Sequence, residues 1–211
     1  MKEIQLSIIR GFLDNRKRQL ILNPEFIKFE EKEISGAFTQ FSKNSIIEYR
    51  YGINWINGIE FTIGREYQIF IRNLENDVLK INFKSFYGFK KKEYHRNYSK
   101  ILDTLWDFYF SDISWNFINK FQREEEFKIG NVDFSKDNIT IGVSGILKEE
   151  SKTIPWESLR TRDYQTYFAI YSIDDPINVN RGYSYLDEWN TGILYSVVKS
   201  ILDLKRIEII E

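Results

Sequence analysis

The sequence YQIFIRNLENDVLKINF, which spans Tyr67–Phe83, contains the clearest folding signal in the chain. Two runs rich in Ile, Phe and other strand-forming residues flank the polar stretch Asn73–Asp77, a pattern typical of two antiparallel strands joined by a turn. Earlier in the chain, Asn57-Gly58 is a dipeptide favoured in hairpin turns. From Gln19 to about Lys84 the sequence therefore predicts an antiparallel meander of short strands. The predicted strands are Ser45–Tyr51, Glu60–Gly64, Tyr67–Arg72 and Val78–Phe83.

Beyond this meander the apolar period changes from that of a strand to that of a helix. Apolar residues recur every three or four positions from Tyr98 to Tyr109, which predicts an amphipathic helix. Ser111-Asp112 predicts a break and a new N-cap, followed by a short helix that ends near Gln122.

Strands are predicted to resume after Glu126, and a final helix closes the chain. The final helix is predicted from Asp187, as its N-cap, to about Leu204, with Trp189 on its apolar face. A loop containing Pro176 precedes it, between Asp174 and Gly182. The predicted strands of this half are Phe127–Phe134, Ile139–Val143, Gly145–Lys148, Thr153–Trp156 and Tyr164–Tyr171.

The order of strands followed by a helix occurs twice, which suggests two domains, 1–122 with a linker helix and 123–211. Weak internal similarities support a tandem repeat. A single large α+β domain with two helices on one sheet is the alternative. The similar segments are Asn23–Phe26 with Asn131–Phe134, Arg65–Gln68 with Arg162–Gln165, and Ile101-Leu102 with Ile193-Leu194.

Two stretches resemble bacterial pleckstrin-homology-like (PH-like) domains. Leu22–Phe29, with the polar-tipped strands after it, looks like the opening of such a domain, and Ile154–Leu159 contains a similar Ile-Pro-Trp strand. The resemblance implies an α+β, mostly β fold of two tandem PH-like units, each a bent antiparallel sheet or open barrel closed by a C-terminal helix. Trp106 and Trp189 are then expected to face the barrel mouths.

The resemblance also implies binding rather than catalysis, since PH-like folds mostly recognise peptides, proteins or lipid headgroups. Lipid-binding members carry a basic cluster in the first hairpin. The stretch matched to it here, Glu30–Glu33, is acidic, which argues against lipid headgroup binding by the first domain, and the second offers only Lys136. We therefore expect a non-catalytic interaction or scaffold module whose partner is a protein.

Composition excludes several classes of chemistry. The 211 residues include no Cys and 1 His, which removes disulfides, zinc ribbons and thiol nucleophiles, and neither a metal site nor a cofactor is expected. A net charge of −1 gives no strong overall field for nucleic acid. The polar N-terminus does not match a signal peptide, and no apolar run matches a transmembrane segment, so a cytoplasmic location is expected.

Two sets of side chains are candidate binding residues. Lys90, Lys91, Lys92 and Arg96 form a basic cluster, expected just ahead of the first helix, which could meet an anionic surface. Tyr183, Tyr185 and Trp189 could form a sugar-stacking platform before the last helix. This second set supports an alternative function, a small-ligand or carbohydrate-binding or -processing protein that uses Asp/Glu pairs and exposed aromatic residues.

Overall fold

Antiparallel strands make up most of the chain, as its runs of Ile, Phe and Tyr predicted. The computed structural model describes residues 2–11, 14–31, 34, 36–144 and 149–205. Residue contacts divide the chain into two compact units, Met1–Ser111 and Asp112–Glu211. The division falls within the helical region, earlier than the boundary expected after Gln122. The prediction of a mostly β fold with antiparallel sheets and a C-terminal helix is confirmed.

The first unit contains a four-stranded sheet, a three-stranded sheet and a helix. A 3-10 turn, Lys43–Ser45, separates the two sheets. The four-stranded sheet has the order β1-β2-β3-β4, with β1 (Ile4–Ile9), β2 (Lys17–Asn23), β3 (Phe26–Phe29) and β4 (Thr39–Ser42). The three-stranded sheet consists of β5 (Ile46–Asn57), β6 (Thr62–Asn73) and β7 (Val78–Phe86), and helix α1 (Lys91–Leu105) follows it.

The second unit repeats this order of elements after helix α2 (Ser111–Gln122). The 3-10 turn Trp156–Ser158 separates its two sheets. The four-stranded sheet contains β8 (Phe127–Ile129), β9 (Val132–Phe134), β10 (Asn138–Ser144) and β11 (Glu149–Pro155). The three-stranded sheet contains β12 (Leu159–Asp163), β13 (Tyr167–Ser172) and β14 (Asn180–Ser184), and helix α3 (Thr191–Leu204) follows it.

Each unit therefore has two sheets, where the PH-like resemblance implies one bent sheet or open barrel. In each unit a 3-10 turn connects the fourth strand to the fifth, and these two strands lie in different sheets. Both hairpin turns predicted in the first unit are confirmed, at Asn57-Gly58 and at Asn73–Asp77. In the second turn, the Asn73 amide donates to the Asp77 carbonyl at 3.1 Å.

Several strand boundaries were predicted wrongly. Glu60–Gly64 and Tyr67–Arg72 are not separate strands, because β6 runs without interruption and pairs with β7 from Gly64 to Arg72. Phe127–Phe134 is a hairpin rather than one strand, with a turn at Gly130. Strands β1, β12 and β14 were missed or assigned to loops. The predicted strand Gly145–Lys148 lies outside the described residues.

The helix boundaries also differ from the predictions. Helix α1 begins at Lys91, seven residues before the predicted start at Tyr98. The described residues 91–122 contain no break at Ser111, where one was predicted. Instead, a π-helical turn, Trp106–Phe110, joins α1 to α2. Its wider winding accommodates consecutive bulky side chains, and Phe108, Tyr109 and Phe110 are all buried.

The last helix was predicted to begin too early. It begins at Thr191, after Asn190 in the left-handed conformation, and it ends at Leu204 as predicted. Asp187 is not its N-cap, because its carboxylate accepts a hydrogen bond from the Ser184 hydroxyl at 2.7 Å within the preceding turn. Trp189 precedes the helix and is half-buried.

Each unit has its own apolar core, built from sheet faces and the helix that follows. In the first unit, rings of α1 pack on the three-stranded sheet, with Tyr98 5.2 Å from Tyr67 between ring centroids. In the second unit, Tyr195 of α3 lies 5.2 Å from Phe168 of β13. Ile101 and Leu105 are fully buried in the first core, as their helical spacing predicted.

Two residues, Arg10 after β1 and Glu31 after β3, accept hydrogen bonds from the backbone amides at the free edge of β7. The Lys84 amide donates to the Arg10 carbonyl at 2.7 Å, and the Lys80 amide donates to Glu31 Oε1 at 3.1 Å. Arg10 Nη2 in turn donates to the Glu31 carbonyl at 2.9 Å, which ties the two loops together. These contacts satisfy edge amides that would otherwise face water.

One of the three internal similarities occupies equivalent places in the two units, and the other two do not. Ile101-Leu102 and Ile193-Leu194 both lie in the helix after a three-stranded sheet. Arg65–Gln68 lies in the middle strand of its sheet, whereas Arg162–Gln165 lies at the end of the first strand and in the following turn. Asn23–Phe26 forms a turn between two strands, whereas Asn131–Phe134 is mostly strand β9.

Candidate interaction surface

The three-stranded sheet of the first unit extends beyond the part that α1 covers. The aromatic rings of α1 pack on Tyr67 and Phe83, and the ring centroids of Phe83 and Tyr94 lie 5.5 Å apart. The next row along the same face is Trp55, Arg65 and Ser85. Trp55 is exposed, and the Arg65 guanidinium lies 4.0 Å from its ring centroid, a cation–π contact. This row marks the transition from core to surface.

Large apolar side chains occupy the turn between β5 and β6. The Gly58 amide donates to the Phe61 carbonyl at 2.8 Å, which closes the turn. Ile59 is 103 % exposed and Phe61 is 65 % exposed. Such side chains in a tight turn do not contribute to the core, so folding alone does not explain them.

The chain returns to the same end of the sheet after β7. The Tyr87 amide donates to the Ile63 carbonyl at 2.8 Å, which places Tyr87 beside the β5–β6 turn. The Ser85 hydroxyl donates to the Phe89 carbonyl at 2.7 Å and fixes the next turn. Tyr87 is 81 % exposed and Phe89 is 67 % exposed.

The predicted basic cluster follows directly. Lys90 has a φ of 54°, in the left-handed region, and Lys91 and Lys92 form the first turn of α1 rather than preceding it. Arg96 lies one turn further along the helix and is exposed. Lys90 Nζ lies 4.0 Å from the Glu93 carboxylate and 5.9 Å from the Phe89 ring centroid. The lysines therefore continue the aromatic surface.

We call this set of exposed residues the tip surface. Its lysines were predicted from the sequence as part of the basic cluster, but its aromatic and aliphatic residues were not. A signal was present, because Ile59-Glu60-Phe61 places two large apolar residues directly after the turn dipeptide Asn57-Gly58. The tip surface consists of Trp55, Ile59, Phe61, Tyr87, Phe89, Lys90, Lys91 and Lys92.

The lysines occupy an electrostatically unfavourable position. The N-terminal end of a helix carries a partial positive charge, so cations there cost about 0.3–1 kcal/mol each. The acidic side chain in the first turn is Glu93, against three consecutive lysines at Lys90–Lys92. Such local conflicts with stability are expected at functional sites.

The tyrosines beneath the tip surface are uncharged near neutral pH. Burial raises the pKa of Tyr67 and of Tyr94 above 10. Burial also raises the pKa of Tyr98, and the neighbouring tyrosines Tyr51 and Tyr67 raise it further. The charge of this region therefore comes from its Lys, Arg and Glu side chains.

The aromatic residues predicted to bind sugar in the second unit serve mainly as core. Tyr183 is 1 % exposed and its ring centroid lies 5.5 Å from that of Phe168. Tyr185 is also buried, and its hydroxyl donates to the Asp163 carboxylate at 2.8 Å. Trp189, which lies before α3, is half-buried.

A different pair of tyrosines is exposed in that unit. Tyr164 and Tyr167, at the hairpin between β12 and β13, stack with ring centroids 4.5 Å apart. The Arg162 guanidinium lies 5.4 Å from the Tyr164 ring centroid. A Cβ on Gly182 would lie 3.1 Å from the Tyr167 ring, so the missing side chain of the glycine leaves room for this ring on the sheet.

The paired carboxylates are mostly engaged in local structure. The Glu188 carboxylate accepts a hydrogen bond from the Ser184 amide, and it forms an ion pair with Arg181 at 3.4 Å. Glu124 pairs with Lys136 at 2.6 Å, and this contact raises the pKa of the lysine. Asp175 accepts hydrogen bonds from the Asn178 amide and side chain.

An open pocket of about 390 Å³ lies along β8–β10, and its Asp133 pairs with Lys128 at 3.3 Å. Among the described residues, no group of three or more His, Cys, Asp or Glu side chains could hold a metal ion.

The part of the chain that the structure describes contains no helix of sufficient length and apolarity to cross a membrane. Comparison with protein-family models and with curated proteins found no match.

Proposed function

We propose that this chain is a pair of PH-like units that binds a partner rather than catalysing a reaction. The order of elements supports this proposal, because each unit has four strands, a 3-10 turn, three strands and a helix. The resemblance implies strands followed by a C-terminal helix in each unit, and the helix that follows the second sheet of each unit supports the proposal. The sheets position loops and hairpin ends, which are the usual places for recognition.

The tip surface is the observation that carries the proposal of binding. It brings Trp55, Ile59, Phe61, Tyr87 and Phe89 to one end of a sheet, although none of them is needed to fill the core. Contiguous exposed apolar patches of this kind mark interaction sites in soluble domains. Aromatic side chains are also the residues that contribute most to recognition surfaces.

In-cell photocrosslinking tests this function. A photoreactive phenylalanine analogue at position 59 is compared with the same analogue at position 74, in the turn at the other end of β6. Leu74 is also exposed, so both sites tolerate the change. We expect a discrete crosslinked species from position 59 and none from position 74.

Stability measurements provide the control for the same proposal. Ile59→Ser and Phe61→Ser should leave the melting temperature nearly unchanged, because substitutions at exposed sites usually change stability by less than about 0.5 kcal/mol. Equal crosslinking from both positions, or no adduct to protein or lipid from either position, would contradict a binding role for the tip surface.

Binding of a small carbohydrate by the second unit is the alternative function, and the exposed stacked pair Tyr164–Tyr167 favours it. Sugar rings stack on exposed aromatic faces, and Asp163 and Arg162 lie beside the pair. A panel of mono- and disaccharides in a thermal-shift assay tests this idea, because a ligand that binds the folded state raises the melting temperature. We expect any shift to be lost in Tyr164→Ala, and a shift that survives that substitution would contradict this site.

A further inference from the structure

We infer that the tip surface docks on an anionic lipid bilayer, with Ile59 and Phe61 entering the headgroup region. This inference rests on the proposed function and names the partner of the same surface. It involves the β5–β6 hairpin end and the start of α1, and not the acidic Glu30–Glu33 stretch. The expected mode is adsorption of an exposed apolar hairpin end, without a dedicated headgroup pocket.

The residue types of the tip surface distinguish a bilayer from a protein partner. Protein interfaces are enriched in Tyr, Trp, Phe and Arg but depleted in Lys. Peripheral membrane surfaces instead combine Trp, Phe and aliphatic side chains with many lysines. Here Tyr87 and Phe89 are followed by Lys90, Lys91 and Lys92 without an intervening acidic residue.

The shape of the surface supports the same partner. The turn closed by the Gly58–Phe61 hydrogen bond presents Ile59 at the end of a long hairpin, and this side chain is 103 % exposed. A projecting apolar side chain fits a deformable layer of headgroups and acyl chains. Tyr87 and Trp55, nearer the sheet, have the amphipathic rings that favour the depth of the headgroups.

Local charge complements an anionic surface although the whole chain is nearly neutral. Residues 55–66 and 84–96 contain six Lys or Arg and three Asp or Glu side chains. Glu66 pairs with Lys84 at 3.6 Å, and Glu93 lies 4.0 Å from Lys90. The remaining acid of these segments, Glu60, lies in the turn between Ile59 and Phe61. Its carboxylate opposes deep insertion, which predicts reversible binding.

A fluorescent probe at the hairpin end tests the inference directly. The chain has 0 Cys, so a single introduced cysteine is labelled at one site. Ile59→Cys and the control Leu74→Cys each carry an environment-sensitive nitrobenzoxadiazole group on the full-length protein. Vesicles of phosphatidylcholine alone are compared with vesicles of phosphatidylcholine and phosphatidylglycerol. We expect a blue shift and a several-fold intensity increase for the position 59 probe with the anionic vesicles alone, and no change at position 74.

Charge variants make the test specific to the lysines. Each basic residue near an anionic surface contributes about a fivefold gain in affinity, so replacing Lys90, Lys91 and Lys92 by Gln should weaken vesicle binding by about a hundredfold. The matched control replaces three exposed lysines of the second unit and changes the net charge equally. Glu60→Gln should strengthen binding by several-fold. The control lysines are Lys128, Lys136 and Lys152.

Three results would overturn the inference: no response of the position 59 probe, an equal response to neutral vesicles, or equal weakening by the two lysine variants. Photocrosslinking then separates the two proposals. A discrete protein adduct from position 59, with no vesicle response, would retain the binding function and exclude the bilayer as its partner. The absence of both signals would reject both proposals.

Discussion

Arg18 is the largest charged side chain in the core of the first unit, and its partner makes stability depend on pH. Its side chain is 0 % exposed, and Nη1 donates to Asp14 Oδ1 at 2.8 Å. This hydrogen bond is the main reason why the pKa of Asp14 is lowered. A carboxyl group with a lowered pKa stabilises the fold above its unfolded value of 3.8, and the contribution is lost as the pH falls through the folded value.

We expect Asp14→Asn to reduce the free energy of unfolding by about 1 kcal/mol near neutral pH, because the buried guanidinium loses a charged acceptor. The difference from the wild type should shrink as the pH falls below 3.8. Urea denaturation at neutral and acidic pH measures both quantities. A difference of equal size at both pH values would show that the carboxylate charge is not responsible.

The hydroxyl of Thr161 gives a second prediction for a single residue. Thr161 is 1 % exposed in β12, and its Oγ1 has no hydrogen-bond partner within the described residues. Replacing a buried hydroxyl that lacks a partner by a methyl group removes a desolvation cost. We expect Thr161→Val to leave the melting temperature unchanged or raise it. Thr104→Val is the matched control, because the Thr104 hydroxyl donates to the Lys100 carbonyl at 2.7 Å, and its loss should lower stability by about 1 kcal/mol.

Among the elements, the contact between β6 and β7 depends on Gly64. A Cβ at this position would lie 2.7 Å from the Ser85 carbonyl oxygen and 2.9 Å from the Phe86 ring. We expect Gly64→Ala to cost about 1–3 kcal/mol, because neighbouring backbone must shift. Thermal unfolding measures the effect, with Gly11→Ala as the control, since its nearest neighbour would lie at an ordinary 3.7 Å. Equal losses for both variants would contradict this account.

The elements also show how far local sequence determines this fold. The turns after Asn57-Gly58 and at Asn73–Asp77 were predictable, because polar residues and glycine interrupt the apolar runs of the flanking strands there. The continuation of the helical segment through Ser111 was not predictable, because it depends on the buried aromatic side chains of the π-helical turn just before a residue that favours a cap. Strand β1 was not predicted from the sequence. Ile8 is the one buried residue among its six, so the apolar pattern of a strand is weak there.

The candidate site was predicted in part, for a similar reason. The lysines at 90–92 formed a visible charge run, whereas the aromatic part of the tip surface is assembled from the ends of three strands. Trp55, Phe61 and Tyr87 are separated in sequence, and strand pairing brings them to the same end of the sheet. Composition alone could not separate these exposed aromatic residues from the many that are buried.

At the scale of the whole molecule, each unit has a separate core, which predicts that core substitutions act locally. Ile141 in β10 and Ile81 in β7 are both 0 % exposed. Each change to Ala should cost about 2–5 kcal/mol. We expect hydrogen exchange to show faster exchange in strands β8–β14 for Ile141→Ala and in β1–β7 for Ile81→Ala. Equal acceleration throughout the chain by either variant would contradict two separate cores.

The covered edge of β7 has a consequence for the behaviour of the protein at high concentration. Strand edges with unsatisfied amides recruit further chains into growing sheets, a first step toward fibrils. The amides of Lys84 and Lys80 already donate hydrogen bonds to Arg10 and Glu31, so they are not available to a strand of a neighbouring chain. The same loop contacts that complete the fold therefore also protect the molecule from assembling with misfolded copies of itself.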